Sequence, residues 1–394
     1  MIGAGMGGLC AAIRLALAGQ SVTLFEAQLT PGGKMRTVPS AAGPVDAGPT
    51  VLTLRQVFDD LFAAAGERLE DHLTLVSQPI LARHWWLDGS RLDLHADPEA
   101  NAAAIAQFAG LKAEAEFVRF NRQTHQLYAA FDAPMMRAAR PNLPAILLNT
   151  LRSPGIWSAL LPHRNLARHL GRQFTDARLR QLFGRYSTYV GGFPLLSPAV
   201  LSLVWQAEAQ GVWAVQGGMN QLALALADLA ARVGVKLRYG VAAQNIQRQN
   251  GKVTGLVLSD TRTHPCEAVV FNGDPAALLA GLLGNGGQQA IKPATAHPRS
   301  LSAWVWSFAA VPSDIDLCLH NVFFCSNPDR EFLPLANGQM PAEATLYVCA
   351  QDRIQPRLKG LERFEIIMNA PPKPPPSLHD VADRGAEHRQ QCER

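Results

Sequence analysis

The strongest constraint on this chain lies in its first 37 residues. Gly3-Ala4-Gly5-Met6-Gly7-Gly8 leads into Leu9 to Ala18, a run of apolar and small residues suited to a helix packed on a sheet, and Gly19 is placed to close it. Ser21-Val22-Thr23-Leu24-Phe25-Glu26 follows as a buried strand ending in a carboxylate. Glycine lets backbone approach a pyrophosphate closely, and a helix N-terminus carries partial positive charge, so this order of parts specifies a dinucleotide-binding unit. Glu26 stands where a ribose hydroxyl is bonded, and a carboxylate there repels a 2′-phosphate, which favours FAD or NAD over NADP. A glycine-rich helix entry also arises from packing alone; the acid in register adds the ligand chemistry.

Gly32-Gly33-Lys34-Met35-Arg36-Thr37 supplies a second close approach of backbone, with two cations suited to phosphate oxygens. Only Met1 and Ile2 precede the glycine turn, whereas the central strand of such a fold typically runs about 5–6 residues. The expectation is an incomplete first strand.

A chain of 394 residues exceeds one small core and suggests two interlocked domains. With 17% charged residues and a net charge of +4, a nucleic-acid partner is not indicated. No run of 18 or more apolar residues is present, so the protein is expected in the cytoplasm, with peripheral membrane contact at most. Cys10, Cys266, Cys318, Cys325, Cys349 and Cys392 have neither CxxC spacing nor paired histidines, so neither a zinc site nor a disulfide framework is expected.

Asp46 is the only charge in the loop Gly43 to Thr50. Leu73–Val76, Ala82–Leu87 and Arg91–His95 alternate as an antiparallel layer with a turn at Asp88-Gly89. Trp85 and Trp86 are adjacent on a strand, so at most one faces a pocket. Asp97 caps a helix to about Ala109, and Ala113–Phe131 forms a second. Arg119 to Arg185 holds eleven arginines against two acids, 11 − 2 = +9, interleaved with Leu143, Leu147, Leu151 and Trp157 and broken by Pro141, Pro144, Pro154 and Pro162. That pattern suits a helical element in a membrane interface. Gly217-Gly218-Met219-Asn220 starts another helix, Val235–Tyr239 reads as a strand, Asn250-Gly251 turns a hairpin, and Glu267–Phe271 reads as a short buried strand. Trp304 and Trp306 share a strand face suited either to flooring a cavity or, equally, to filling a core, and Phe364–Met368 is a buried strand.

These motifs resemble the FAD-dependent carotenoid desaturases of the phytoene desaturase type, within the flavin amine oxidase-like group. Asp46-Ala47-Gly48-Pro49-Thr50-Val51-Leu52-Thr53, Tyr189-Val190-Gly191-Gly192 and Gly217-Gly218-Met219 narrow the match. Ala82-Arg83-His84-Trp85-Trp86, Arg299 to Trp304 and Tyr347 to Arg353 look most like the hydroxyneurosporene or methoxyneurosporene desaturase branch, which introduces a 3,4 double bond into 1-hydroxy or 1-methoxy carotenoids. The resemblance implies an α/β fold: a Rossmann-like FAD-binding domain (residues 1–80 and 211–285) interleaved with an α+β substrate domain (81–210, membrane-associated, and 286–370, a sheet). Residues 371–394 form a proline-rich tail expected to be disordered.

It also implies that Gly3, Gly5, Gly8 and Glu26 hold the ADP half of FAD, that Gly32, Gly33 and Arg36 contact its phosphates, that Val241 lies near the adenine, and that the Asp46–Thr50 loop faces the flavin. Asp46 is the one candidate for a catalytic base. Relatives of this type continue into a glycine-rich C-terminal segment, so truncation at both ends is expected. A carotenoid offers few polar handles, which leaves one or two polar contacts to choose its end group. The residues alone leave open an inactive fragment, a polyene- or prenyl-binding module without catalysis, and a nicotinamide dehydrogenase.

Overall fold

The computed structural model describes residues 1–160, 164–313, 315–354 and 360–373. Pro162 and the tail from Pro374 onward lie outside them. In chain order the elements that position the site are α1 (Met6–Leu17), β1 (Thr23–Phe25), β2 (Ile80–Trp85), β3 (Arg91–His95), α2 (Leu111–Phe131), α3 (Leu143–Arg152), α4 (Asn220–Arg232), β4 (Lys236–Arg238), β5 (Ala243–Gln249), β6 (Lys252–Leu258), β7 (Ser302–Ala310), β8 (His320–Phe323), β9 (Leu346–Ala350) and β10 (Glu362–Ala370).

The nucleotide-type unit is built on a parallel pair, β1 with β4. Ile2 extends it by single parallel bridges to Phe25 and Phe271, which is all that a two-residue lead-in to Gly3 can pair. The strand expected over Glu267–Phe271 is for the same reason only the bridge at Phe271, and Val270 is exposed rather than buried. α1 and α4 pack over this pair through Leu9, Ala12, Ile13, Leu222, Leu226 and Leu229, all fully buried. The Asn250-Gly251 turn joins β5 and β6 with Asn250 at φ 52° and Gly251 at φ 79°, the left-handed geometry that these residues tolerate.

A six-stranded sheet carries the second unit, in the order β7-β10-β9-β8-β2-β3. All its neighbours are antiparallel except β8 and β2, which run parallel. The expected antiparallel layer is corrected in one respect. β2 and β3 belong to this large sheet, whereas Leu75–Ser77 pairs separately with Trp213–Val215.

Register sorts the side chains into two faces. Pairs His320 with Cys349, Val322 with Tyr347, Cys349 with Glu365 and Val322 with His84 put these residues on one face. Trp85 stacks on Phe323, with ring centroids 5.9 Å apart, and faces the other way. Trp304 and Trp306 lie opposite Met368 and Ile366, also on that other face and half-buried on the edge strand. They do not floor the cavity described below. Trp86 is buried in the core, packed on Phe324 and donating its indole N–H to Gln181 (3.1 Å).

α2 covers the inner face with Phe117 and Phe120, which join Phe174, Phe183 and Trp205 in an aromatic cluster. α3 differs in that none of its residues is buried: Leu143, Leu147, Leu148 and Leu151 are exposed, as are Met135, Met136 and Trp157 nearby. No helix among the described residues is long and apolar enough to cross a membrane.

Candidate functional site

The glycine turn is shaped by contacts that only hydrogen permits. A Cβ on Gly8 would lie 2.0 Å from the Gly3 carbonyl oxygen, and Gly3 has φ 96°. No side chain hydrogen-bonds the N-terminus of α1, and its first turn holds no acid, which suits an anion there, with the Asn272 amide packed against the turn at Gly5, Gly7 and Gly8. The second turn locks directly onto the first. The Gly32 N–H donates to the Ala4 carbonyl (2.9 Å), and a Cβ on Gly33 would stand 3.1 Å from Gly5 Cα.

Glu26 is buried at the end of β1, its Oε2 accepting the Ala4 N–H (2.7 Å) and its Oε1 that of Gln28 (2.9 Å). The Val241 N–H donates to the Glu26 carbonyl (2.9 Å). Gly3, Gly5, Gly8, Glu26, Gly32, Gly33 and Val241 are thus drawn into one cradle. Arg36 follows the second turn with its side chain exposed. The uncapped helix start and the glycine contacts fit a bound pyrophosphate.

The Asp46–Thr50 loop runs from this cradle to the large sheet. Asp46 is buried, and its carboxylate accepts the N–H of Met219 (2.7 Å) and of Asn220 (3.3 Å) at the start of α4. A Cβ on Gly218 would lie 2.7 Å from Oδ2. The Asp46 backbone is held by Gln351 and Ser307. Burial raises the Asp46 carboxyl above its usual pKa, and the two amides pull it back. These contacts make Asp46 a remote helix cap, an anchoring part for the residue also considered as a base. Asp46→Ala is expected to lower stability by about 3 kcal/mol, since two amides and their buried surroundings lose a charged acceptor. Denaturant titration measures it, and an unchanged midpoint would refute the anchoring role.

Thr50 points instead toward the sheet. Its Oγ1 and the Tyr347 hydroxyl are 2.6 Å apart, and that hydroxyl is 2.7 Å from His320 Nδ1. Beside this relay Glu208 accepts hydrogen bonds from Tyr186 (2.6 Å) and Tyr189. Tyr347, His320, Glu208, Tyr186 and Tyr189 line a cavity of about 20 Å³ together with His84, Arg185, Val51 and Phe324, enough room for about one water-sized group. Burial keeps the histidines neutral, with the pKa of His320 pushed down to about 4 and that of His84 to about 3.

Glu365 lies on the same face, fully buried, with no side-chain partner for either carboxylate oxygen and only the Gly48 backbone amide nearby. Burial pushes its pKa up to about 8. Sequence reasoning missed Glu365, although one acid inside Phe364-Glu365-Ile366-Ile367-Met368 was the available signal. It also missed Arg185, Glu208 and His320, which only the sheet register and the helical layer bring together. Among the described residues no cluster of histidine, cysteine and acid could hold a metal, and the five described cysteines are free.

Comparison with known proteins agrees with this geometry. Residues 6–301 match the family of flavin containing amine oxidoreductases. The chain is 61% identical to a hydroxyneurosporene desaturase of Cereibacter sphaeroides, over 97% of this chain and 77% of that protein. It is 27% identical to a 1-hydroxycarotenoid 3,4-desaturase of a Flavobacterium species, over 94% of this chain and 76% of that protein. Among solved structures, an oxidoreductase of Methanosarcina mazei superposes with a TM-score of 0.58 at 16% identity, covering 100% of this chain and 82% of its own, and shares the fold. With the family match running from the helix of the cradle through the acid-ended strand and over most of the chain, the chain belongs to the flavin containing amine oxidoreductase family.

Proposed function

We propose that the protein is a carotenoid 3,4-desaturase that acts on a 1-hydroxy or 1-methoxy substrate, uses FAD, and works at a membrane surface. The observation that carries the reading is the 61% identity to a hydroxyneurosporene desaturase across 97% of the chain. The fold agrees with it: a dinucleotide cradle leads through the Asp46–Thr50 loop to the inner face of a large sheet covered by an aromatic layer. When bound, FAD supplies the acceptor for a hydride from one carbon of the C3–C4 bond, the other carbon losing a proton as the double bond forms.

The chain's own residues hold and orient. Gly3, Gly5 and Gly8 present backbone to the pyrophosphate, Gly32, Gly33 and Arg36 lie toward the phosphates, Glu26 meets the ribose and Val241 the adenine. Thr50 and its loop back the flavin ring. Apolar burial, at roughly 25 cal/mol per Å², supplies most of the affinity for a polyene and keeps water from the reacting carbons.

Membrane contact is supported by α3. Leu143, Leu147 and Leu151 recur at fourfold spacing and are exposed, beside the exposed Arg140 and Arg152, a pattern suited to the headgroup boundary of an anionic bilayer. The test uses flavin-loaded protein with anionic liposomes containing 1-hydroxyneurosporene. The expected result is a shift of carotenoid absorption to longer wavelength, as the polyene lengthens. It should fall at least tenfold, together with vesicle co-sedimentation, in a Leu147→Glu/Leu151→Glu variant. Carotenoid binding with no shift under any electron acceptor would sink the enzyme reading and leave a binding module.

A further inference from the structure

A polyene built of repeating isoprenoid units presents many similar bonds to an apolar groove. Burial alone gives little information about register, because sliding the chain by one unit exchanges like for like. A polar clamp on the one end group that carries oxygen removes that degeneracy.

The inner sheet face holds the parts of such a clamp. His320 Nε2 is buried without a hydrogen-bond partner, and so is Arg185 Nε. Both residues line the same cavity of about 20 Å³. The neighbouring polar groups already serve each other: Tyr186 and Tyr189 donate to Glu208, and Thr50, Tyr347 and His320 Nδ1 form a continuous relay. The remaining walls include Val51, Leu81, Val322 and Phe324. The cavity's size suits a hydroxyl rather than a larger polar head.

The two orphan groups also define what the ligand must offer. The Arg185 Nε–H only donates, so the ligand must accept. The Thr50–Tyr347–His320 relay can run in either direction; in the arrangement where His320 Nδ1–H donates to Tyr347, His320 Nε2 presents a lone pair and the ligand must also donate. An alcohol does both with one oxygen. A methyl ether can accept but cannot donate, and a hydrocarbon end does neither while leaving two buried groups unpaired.

We propose that Arg185 and His320 form the receptor for the substrate's C1 hydroxyl, which sets the register of the polyene and makes the protein select hydroxylated over methoxylated carotenoids. The clamp rests on the carotenoid desaturase reading and narrows it. Since Val51 of the Asp46–Val51 segment borders the cavity, a hydroxyl seated there holds the nearby C3–C4 bond toward the flavin loop rather than one isoprenoid unit away.

The experiment compares 1-hydroxyneurosporene, 1-methoxyneurosporene and neurosporene in liposomes with the flavin-loaded protein. Binding is read by quenching of tryptophan emission, and turnover by absorption. Wild type should bind the hydroxy compound at least about tenfold more tightly than neurosporene, with the methoxy compound between them. His320→Leu should bring the hydroxy compound down to the methoxy level, with His320→Gln restoring part of the difference. Arg185→Met should lower both oxygenated ligands toward neurosporene. Equal wild-type affinity for the three overturns the clamp, leaves the desaturase reading intact, and requires no variant to fold. Equal losses for the three ligands in folded variants overturn it as well. Failure to bind any of them would overturn the carotenoid reading itself, and the clamp with it.

Discussion

Gly8→Ala is expected to yield a protein that purifies without flavin. The added Cβ would stand 2.0 Å from the Gly3 carbonyl oxygen, far inside contact distance, and that oxygen belongs to backbone fixed on both sides. Gly3 is held by its N–H to the Phe25 carbonyl (2.8 Å) and by a φ of 96° that resists further change. Relief therefore requires α1 to move outward from Leu222 and Leu226 of α4, which widens the turn and misaims the helix amides. The ratio of flavin to protein absorbance should fall to near zero, with flavin affinity reduced at least a hundredfold. Gly19→Ala is the control. Gly19 also has positive φ (83°), but a Cβ there meets nothing within 4 Å, so it should cost about 1 kcal/mol of stability and keep its flavin. Full flavin occupancy in Gly8→Ala would show that the turn is not the cofactor's seat.

The second large effect is a pH-dependent gain in stability from Glu365→Gln. The Glu365 carboxyl is fully buried, and burial, joined by the nearby Asp46 charge and only partly offset by the Gly48 backbone amide, raises its pKa to about 8. A glutamate in the unfolded chain has its ordinary pKa of 4.5, so both states are protonated below that pH and the group adds no pH dependence. Between 4.5 and 8 the unfolded chain ionises while the folded one keeps its proton, and stability falls by about 1.4 kcal/mol per pH unit. Above 8 the folded carboxyl ionises too, and the loss levels off. Near pH 7 the accumulated loss is about 3 kcal/mol, and glutamine escapes it. Buried His84 and His320 work in the opposite sense: their lowered pKa values make the unfolded state the better proton acceptor as pH falls through about 6.5. The difference in melting temperature between variant and wild type cancels that contribution. It should be near zero at pH 4.5 and rise to roughly 4 °C by pH 8. A difference independent of pH would mean that the carboxyl is ionised or solvated in the folded protein.

Local chemistry made much of this fold legible. The glycine-helix-strand-acid series of residues 3–26 and the Asn250-Gly251 hairpin carry their structure in neighbouring residues and form as expected, and Phe364–Met368 forms its strand with Ile366, Ile367 and Met368 only half-buried. What stayed hidden depends on partners far along the chain. The Glu267–Phe271 segment reads as a strand by composition but has only Ile2 to pair with. Asp46 reads as a reactive acid until Met219 and Asn220 are seen to claim it. Trp304 and Trp306 read as a cavity floor, yet the register with Ile366 and Met368 turns them away from His320. Of the candidate site, the cradle was readable because its residues are set by backbone geometry. The hydroxyl-sized cavity was not, because Arg185, Glu208, His320 and Tyr347 come from separate elements that meet only through tertiary packing.

The anchoring of Asp46 also bears on how the chain matures as it is synthesised. Its partners lie 173 residues downstream at Met219, 261 at Ser307 and 305 at Gln351. A ribosome that has finished the whole glycine-rich opening has therefore supplied none of them. The Asp46 backbone pairs early with Thr37, but its carboxylate waits for Met219 and Asn220 and its full set of partners for Gln351, just beyond β9, and contacts of such long sequence separation form slowly. A nascent chain consequently spends most of its translation without a finished ring-binding surface, and holdase chaperones have their longest opportunity during that interval.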